Sequence, residues 1–319
     1  MKKNKLLALS LFLLITINTY PTSEKTVPQS LTIKTLYVDD DAPPEWYDET
    51  HFKTIMDAVN SSDDGDTVFV YNGTYYERII INRSIILAGE NKYSTIIDGS
   101  NIPGDELVDG LLIYAGYITV NSFTIQNVNN TGISVSSHHN NISNNIIKNI
   151  SSFGIILDGT GHTIYNNLII VDGTGINSDA DDSTITGNTI TGSFEGISLD
   201  EAYRNTITWN NIQGCIRGIV LFESHNNIIK RNNIAHNTDN IFLGLSWRNK
   251  FYENNFIDCG SIGKHVVLKG YSFFNKWRGN YWDNQIIHFL PKIILGRFGI
   301  LPFPWFNIDW HPARKPYDI

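Results

Sequence analysis

Charged residues are scarce in this chain of 319 residues, at 18%, against roughly a quarter in average soluble proteins. Lys and Arg number 24 against 32 Asp and Glu, the formal net charge is −8, and no stretch of sequence forms a basic stripe. This charge balance argues against nucleic acid as a partner. Asn, Ile, Gly and Thr are over-used instead, which favours strands and turns over helices.

The chain also lacks an apolar run long enough to cross a bilayer comfortably. The run Leu6–Ile17 follows three lysines and precedes a polar stretch, which is typical of a secretory signal. We expect residues 1–19 to be a signal peptide, with an uncleaved anchor as the alternative, and no integral membrane span after its removal. Residues 286–319 are apolar, but prolines and basic residues interrupt them, which favours a folded cap.

A repeat of 21 or 22 residues dominates the middle of the chain. Asparagines recur within motifs such as NISNNII and TIYNNLI, and a second series pairs Gly with an apolar residue. The first series is Asn145, Asn167, Asn188, Asn210, Asn232 and Asn254, and the second is Gly110, Gly132, Gly154, Gly175, Gly196 and Gly218, continued by Asn240. Two series in phase over such a length indicate a repeat architecture.

The composition of each repeat distinguishes between two repeat folds. Short β-branched runs such as Thr184-Ile185-Thr186 are split by Gly and Asn, and the leucine pattern and helical half of a leucine-rich horseshoe are missing. This favours an all-β solenoid whose coils stack about 4.8 Å apart. Inward isoleucines would form columns, and the asparagines would stack their amides in turns, where Asn tolerates left-handed geometry.

Both ends of such a solenoid need covering, because open ends expose core and strand edges. Ahead of the repeats, four apolar residues have the spacing of one helical face, which predicts a short capping helix. These residues are Phe52, Ile55, Met56 and Val59. We therefore expect a linker and N-terminal capping segment at 20–64, the solenoid at 65–285 and a Pro-rich C-terminal cap at 286–319.

A resemblance to a known family is carried by Gly65-Asp66-Thr67-Val68 through Thr95-Ile96-Ile97-Asp98-Gly99 and by the repeats that follow. Over roughly residues 35–285, the sequence resembles NosD-type parallel β-helix proteins. This group belongs to the carbohydrate-binding and sugar-hydrolase β-helix superfamily, which includes pectate lyases and polygalacturonases. Asn280-Tyr281-Trp282 and residues 309–319 resemble the tails of secreted archaeal members. The resemblance implies a single-stranded right-handed parallel β-helix with a capping helix and an aromatic C-terminal cap, located outside the cell or on its surface.

One column of side chains is not required by the fold. Asp158, Asp179 and Asp200 occupy the fifth position of three consecutive repeats. Stacked carboxylates repel one another unless they bind a cation, share a proton or turn into water. We consider them candidate calcium ligands and, with Arg204, candidate catalytic residues. The alternative is a solvated turn edge in which Asp is simply a good turn residue.

Acidic, imidazole, aromatic and guanidinium side chains share the flank next to this column. This composition is typical of a sugar-binding surface, and a solenoid can offer one contact per coil to a linear polymer. We expect the flank to bind extracellular or cell-envelope polysaccharide. The candidate binding residues are Tyr114, His139, His162, Asp182, Tyr203, His225, Trp247 and Arg248.

Three other functions stay open. The same flank could serve a polysaccharide lyase or glycoside hydrolase, although the residue set of polygalacturonases is missing, and the chain could be a purely structural surface or adhesion module. A copper-site accessory role, raised by the NosD resemblance, needs clustered His, Met or Cys. Met56 is the one methionine beyond the leader. Cys215 and Cys259 would lie two coils apart, about 9.6 Å, which is too far for a disulfide.

Overall fold

The computed structural model describes residues 33–101, 108–259, 264–270, 272–287, 290–298 and 301–319. Strands at equivalent positions of successive coils pair in parallel and in register. The chain is therefore the right-handed parallel β-helix that the repeats and the resemblance predict. The signal peptide expected at residues 1–19 lies outside the described residues.

The strands form three parallel sheets that run along the axis. The first sheet contains Ile79–Ile81, Leu111–Ile113, Thr131–His138, Phe153–Thr160, Thr174–Ser178, Glu195–Asp200, Arg217–Phe222, Asp239–Gly244, Lys264–Lys269 and Lys292–Phe298. The second contains Thr35–Val38, His51–Phe52, Thr67–Val70, Ile86–Gly89, Thr119–Asn121, Asn141–Ser143, Thr163–Tyr165, Thr184–Thr186, Thr206–Thr208, Ile228–Lys230, Lys250–Tyr252, Lys276–Arg278 and Leu301–Asp309. The third contains Gly73–Tyr75, Thr95–Asp98, Thr124–Val128, Ile146–Ile150, Leu168–Ile170, Thr189–Thr191, Asn211–Gln213, Asn233–Ala235, Asn255–Ile257 and Tyr281–Trp282.

A short helix, Ile55–Ser61, covers the start of the solenoid. Thr54 caps it, because its side-chain oxygen accepts a hydrogen bond from the Asp57 backbone N–H at 3.1 Å. The prediction of Phe52 as a helical residue is wrong: His51–Phe52 pairs as a strand with Thr35–Val38. Among the described residues, no helix is long and apolar enough to cross a membrane.

The parallel sheet begins earlier than residue 65. Thr35–Val38 pairs in register with Thr67–Val70, and a short 3-10 helix, Pro44–Trp46, lies in the connection between Thr35–Val38 and His51–Phe52. Part of the segment expected to be a linker and cap thus contributes two strands, Thr35–Val38 and His51–Phe52, to the second sheet.

Columns of isoleucine fill the interior. One column runs along the first sheet, and each of its members is fully buried: Ile133, Ile155, Ile176, Ile197, Ile219 and Ile241. Because every coil repeats the same inward positions, the core is a stack of like side chains in which each layer rests on the next.

The repeated asparagines form the amide ladder that the sequence predicts. Asn167 Oδ1 accepts bonds from the Asn145 backbone N–H at 2.9 Å and from Asn145 Nδ2 at 3.2 Å. Asn167 Nδ2 donates in turn to Asn188 Oδ1 at 3.0 Å. The expectation of left-handed geometry at these asparagines is wrong, because the positive φ falls on the preceding residue, as at Asn144 and Asn166.

A second ladder lies at the corner between the first and second sheets. His162 and Ser183 replace asparagine within it: the Asn140 N–H donates to His162 Nδ1 at 3.3 Å, and the His162 N–H donates to Ser183 Oγ at 3.0 Å. From Ser183 onward the acceptors are asparagine side chains again, beginning with Asn205 at 2.8 Å. His162 is 1% exposed and is therefore part of the wall of the solenoid.

The C-terminal segment folds back over the last coil. The antiparallel hairpin of Lys292–Phe298 with Leu301–Asp309 buries Ile294 and joins the first and second sheets. The fully buried Asp309 carboxylate accepts a bond from Asn280 Nδ2 at 2.9 Å and another from Trp282 Nε1 at 3.3 Å. Asp309 thus ends the first amide ladder, and its segment caps the solenoid.

Candidate functional site

The aspartate column lies on the outer face of the first sheet, and all three of its side chains are exposed. Partial burial raises the pKa of the Asp179 carboxyl, and the neighbouring Asp158 and Asp200 carboxylates raise it further. The column therefore carries mutually repelling charges. Among the described residues, the acidic group whose ligand atoms all lie within 4.8 Å of one another is Asp39–Asp41, so the column is not a preassembled calcium site.

Next to this column, the coils change length by one residue. Glu201 is an extra residue between Asp200 and Ala202, and its φ of 49° is left-handed. The next two coils repeat the insertion at Glu223, with φ 48°, and at Leu245, with φ 51°. Left-handed geometry is unusual for these residue types. Because the insertion recurs at the same position of three successive coils, the three side chains form a row along the axis.

A groove runs between this row and the row two residues further on, Tyr203, His225 and Trp247. Its volume is about 540 Å³, and it is lined by Glu201, Tyr203, Glu223, His225, Leu245 and Trp247. Small buried residues separate the two rows, and the Ser224 side chain accepts a bond from the Ala202 N–H at 3.0 Å. We call this feature the aromatic groove.

The rings of the groove follow one another along the axis, with His225 stacked on Trp247 and tilted by 50° against Tyr203. His225 lies 5.4 Å from Tyr203 and 3.4 Å from Trp247, measured between ring centroids. Burial lowers the pKa of His225, so its ring is neutral near pH 7. The Trp247 backbone N–H donates to His225 Nδ1 at 3.3 Å, so Nδ1 is the acceptor and the other ring nitrogen carries the proton.

Arg204 is held by carboxylates of the preceding coil. Its Nε and Nη2 donate to Asp182 at 2.7 and 2.8 Å, and Nη2 also donates to Asp181 at 3.0 Å. These bonds raise the pKa of Arg204 and lower that of Asp182. An arginine stabilised in this way is a poor proton acceptor, which removes it from the role of catalytic base.

Four other predicted residues lie outside the aromatic groove. Tyr114 is 54% exposed but lies two coils before Asp158, and His139 stacks on Tyr117 at 5.2 Å. The prediction of His162 as a surface contact is wrong, since it is buried and its Nε2 donates to the Asp158 carbonyl at 3.1 Å. Arg248 lines two separate depressions.

The residues that sequence reasoning missed are Glu201, Glu223 and Leu245. They share no residue type, so no motif marks them. A signal was nevertheless present: Asn188 is thirteen positions after Gly175, whereas Asn210 is fourteen positions after Gly196. The lengthening between the two repeat series begins at the coil where the groove begins.

Comparison with known proteins gives one family. A family model described as periplasmic copper-binding protein (NosD) matches residues 59–285. No curated protein sequence matches the chain.

Solved structures share the fold at low sequence identity. XylC in complex with xylose has a TM-score of 0.56 at 14% identity, covering 77% of this chain and 67% of that one. Pectate lyase Pel9A has a TM-score of 0.53 at 15% identity, covering 79% and 80%. A GH136 lacto-N-biosidase from Eubacterium ramulus has a TM-score of 0.54 at 13% identity, covering 78% of this chain and 60% of that one, so this chain spans less than two thirds of that enzyme.

The described residues do not fit copper. Copper sites in proteins use clustered imidazole, thiolate or thioether ligands. Cys215 is buried with its Sγ 3.6 Å from the Gln213 carbonyl, and the Met56 sulfur accepts a bond from the Ile80 N–H. In the described part of the chain, no group of three His, Cys, Asp or Glu residues whose ligand atoms all lie within 4.8 Å of one another contains an imidazole or a thiol.

Proposed function

The chain belongs to the NosD family, and from this membership together with the aromatic groove we propose that it is a polysaccharide-binding protein that acts outside the cytoplasm. The observation that carries the proposal is the row of aromatic rings, Tyr203, His225 and Trp247, along one side of an open groove. The pectate lyase and the lacto-N-biosidase that share the fold are carbohydrate-active by name, which supports a glycan as the ligand.

The geometry of the groove matches a linear polymer. His225 and Trp247 stack face to face, so these rings present apolar edges along the groove, against which the C–H face of a sugar ring can pack. Tyr203, His225 and Trp247 come from successive coils, with ring centroids 5.4 and 3.4 Å apart. A chain of sugars lying along the axis would meet one ring after another, which a rigid solenoid presents without paying for rearrangement.

The opposite side of the groove supplies hydrogen-bond acceptors. Glu201 and Glu223 line it, and ionised carboxylates form strong charge-assisted bonds with hydroxyl groups. Aromatic rings on one side and carboxylates on the other match a sugar ring, which has an apolar face and a rim of hydroxyls. Such a mixture of apolar walls and a few convergent polar groups is typical of ligand sites.

Binding without cleavage is the function we propose. A lyase needs a free base, whereas Arg204 is bound by Asp181 and Asp182, and the residue set of polygalacturonases is missing from the sequence. The family location and the leader-like residues 1–19 support an extracytoplasmic site of action.

Calorimetric titration with a panel of neutral and acidic polysaccharides, with and without calcium, tests the proposal. Saturable heat with no released product is the expected result. Continued heat after saturation, together with shorter products on chromatography, would show turnover and replace the binding function with an enzymatic one. No saturable heat with any member of the panel would contradict the proposal and favour a purely structural module.

A further inference from the structure

A cluster of positive charge lies across the corner from the aromatic groove. A depression of about 420 Å³ is lined by Asn226, Arg248, Lys250, Phe274 and Lys276. We call it the basic pocket. Three of its five lining residues are cationic and none is acidic, although the chain as a whole has a net charge of −8.

The cations of the basic pocket are close and uncompensated. Lys250 and Lys276 are direct register partners on neighbouring strands of the second sheet, so their backbones lie about 4.8 Å apart. Like charges directly opposite each other on a sheet are destabilising. None of the ion pairs within the described ranges includes Arg248, Lys250 or Lys276, and all three side chains are exposed, so an anion from solution can reach them and pair with them.

The two depressions are neighbours that share lining residues with a third. Trp247 lines the aromatic groove, and the next residue, Arg248, lines the basic pocket. A smaller depression of about 240 Å³ lies between them, and it is lined by Trp247, Arg248, Phe273 and Phe274. A ligand that leaves the groove past Trp247 therefore reaches Arg248 next.

The charges on the two sides have opposite sign. Glu201 and Glu223 line the groove, so an anionic sugar is disfavoured there, whereas an uncharged ring can stack on Trp247. An oxyanion is favoured in the basic pocket, because guanidinium and ammonium groups form charge-assisted bonds with carboxylate and sulfate. The arrangement thus selects a glycan in which a charged residue adjoins an uncharged one.

We propose that the ligand is an acidic polysaccharide whose carboxylate or sulfate group occupies the basic pocket of Arg248, Lys250 and Lys276 while an adjoining uncharged sugar stacks on Trp247. This inference rests on the proposed function and names the chemical class of its ligand. It also explains why a chain of acidic composition keeps these cations together on its last coils.

The test uses oligosaccharides matched in length. A hyaluronan oligosaccharide, in which glucuronate alternates with N-acetylglucosamine, is titrated beside its carboxyl-reduced neutral counterpart, and a keratan sulfate oligosaccharide, in which uncharged galactose alternates with sulfated N-acetylglucosamine, supplies the sulfate without a carboxylate. We expect the acidic forms to bind about tenfold more tightly at low salt, with the preference lost as salt screens the charges. The relative affinity of the two acidic forms distinguishes carboxylate from sulfate as the preferred group.

Two double variants locate the preference. Lys250→Gln with Lys276→Gln should abolish the preference for the acidic forms and leave the melting temperature unchanged or raised, since it removes like-charge repulsion. Lys53→Gln with Lys315→Gln, which removes two exposed lysines elsewhere, should retain the preference.

The outcomes separate the two proposals. If the neutral oligosaccharide binds as tightly as the acidic ones and the Lys250/Lys276 variant changes nothing, the basic pocket plays no part and the inference is overturned, while polysaccharide binding stands. If neither the neutral nor the acidic oligosaccharides bind, both proposals fall.

Discussion

The imidazole of His225 lies flat on the indole of Trp247, with ring centroids 3.4 Å apart and planes inclined by 21°. The Trp247 backbone N–H also donates to Nδ1 of this imidazole, and that hydrogen bond needs an unprotonated Nδ1. Burial lowers the pKa of His225 below its ordinary value of 6.5, although the Glu223 carboxylate opposes the shift. The hydrogen bond that fixes the imidazole beside Trp247 is therefore intact at neutral pH.

Glycan affinity should fall in acid as His225 protonates and the stack rearranges. The decline begins below pH 6.5 and continues through the lowered pKa. His225→Phe keeps a ring but cannot titrate, so its affinity should vary less over the same range. Calorimetric titrations at several pH values check this, and an equal decline in both proteins would show that His225 is not the titrating group.

His162 should make the fold sensitive to acid. Burial lowers its pKa in the folded state, so the unfolded chain binds the proton more readily and stability is lost as pH falls below the ordinary value of 6.5. His162 lies in the ladder at the corner between the first and second sheets, where Asn140 and Asn205 occupy the equivalent position. His162→Asn should therefore reduce the loss of folding stability in acid. Denaturant unfolding at pH 7 and pH 5 measures the difference. Some sensitivity should remain, because burial also lowers the pKa of His265.

Asp179→Asn distinguishes repulsion from calcium binding in the aspartate column. The pKa of Asp179 is raised in the folded state, so its charge opposes folding at neutral pH, and the variant should be more stable by about 0.5 kcal/mol without calcium. This gain should vanish below the ordinary pKa of 3.8. If calcium instead raises the melting temperature of the unaltered protein but not of the variant, the column is a calcium site.

Asp309→Ala should destabilise the C-terminal end of the solenoid. The substitution removes the buried acceptor of Asn280 Nδ2 and Trp282 Nε1, and the unpaired donors should cost about 3 kcal/mol. Asp318→Ala, at an exposed aspartate of the same segment, is the matched control. Equal unfolding midpoints for the two variants would show that the ladder does not depend on its terminal carboxylate.

The sequence predicts features that repeat one residue type at a fixed period. The Asn series that begins at Asn145 and the Gly series both have a fixed period, so the sequence alone predicts the β-helix. His162 could not be recognised as buried, because a histidine replaces asparagine in a second ladder that has no strict motif. The row at Glu201 is marked only by an extra residue, and Lys250 and Lys276 lie 26 residues apart in the chain, so their contact depends on knowing the register.

The central claim is that the aromatic groove binds polysaccharide. The most direct test titrates two tryptophan variants with the polysaccharide that gives saturable heat with the unaltered protein. Trp247→Ala removes the end of the aromatic stack, whereas Trp209→Ala removes a similarly exposed indole that packs beneath Arg231 at a different corner. The account predicts that Trp247→Ala weakens binding about tenfold or more, while Trp209→Ala binds like the unaltered protein. Unchanged affinity in Trp247→Ala would contradict the account and remove the aromatic groove as the glycan site.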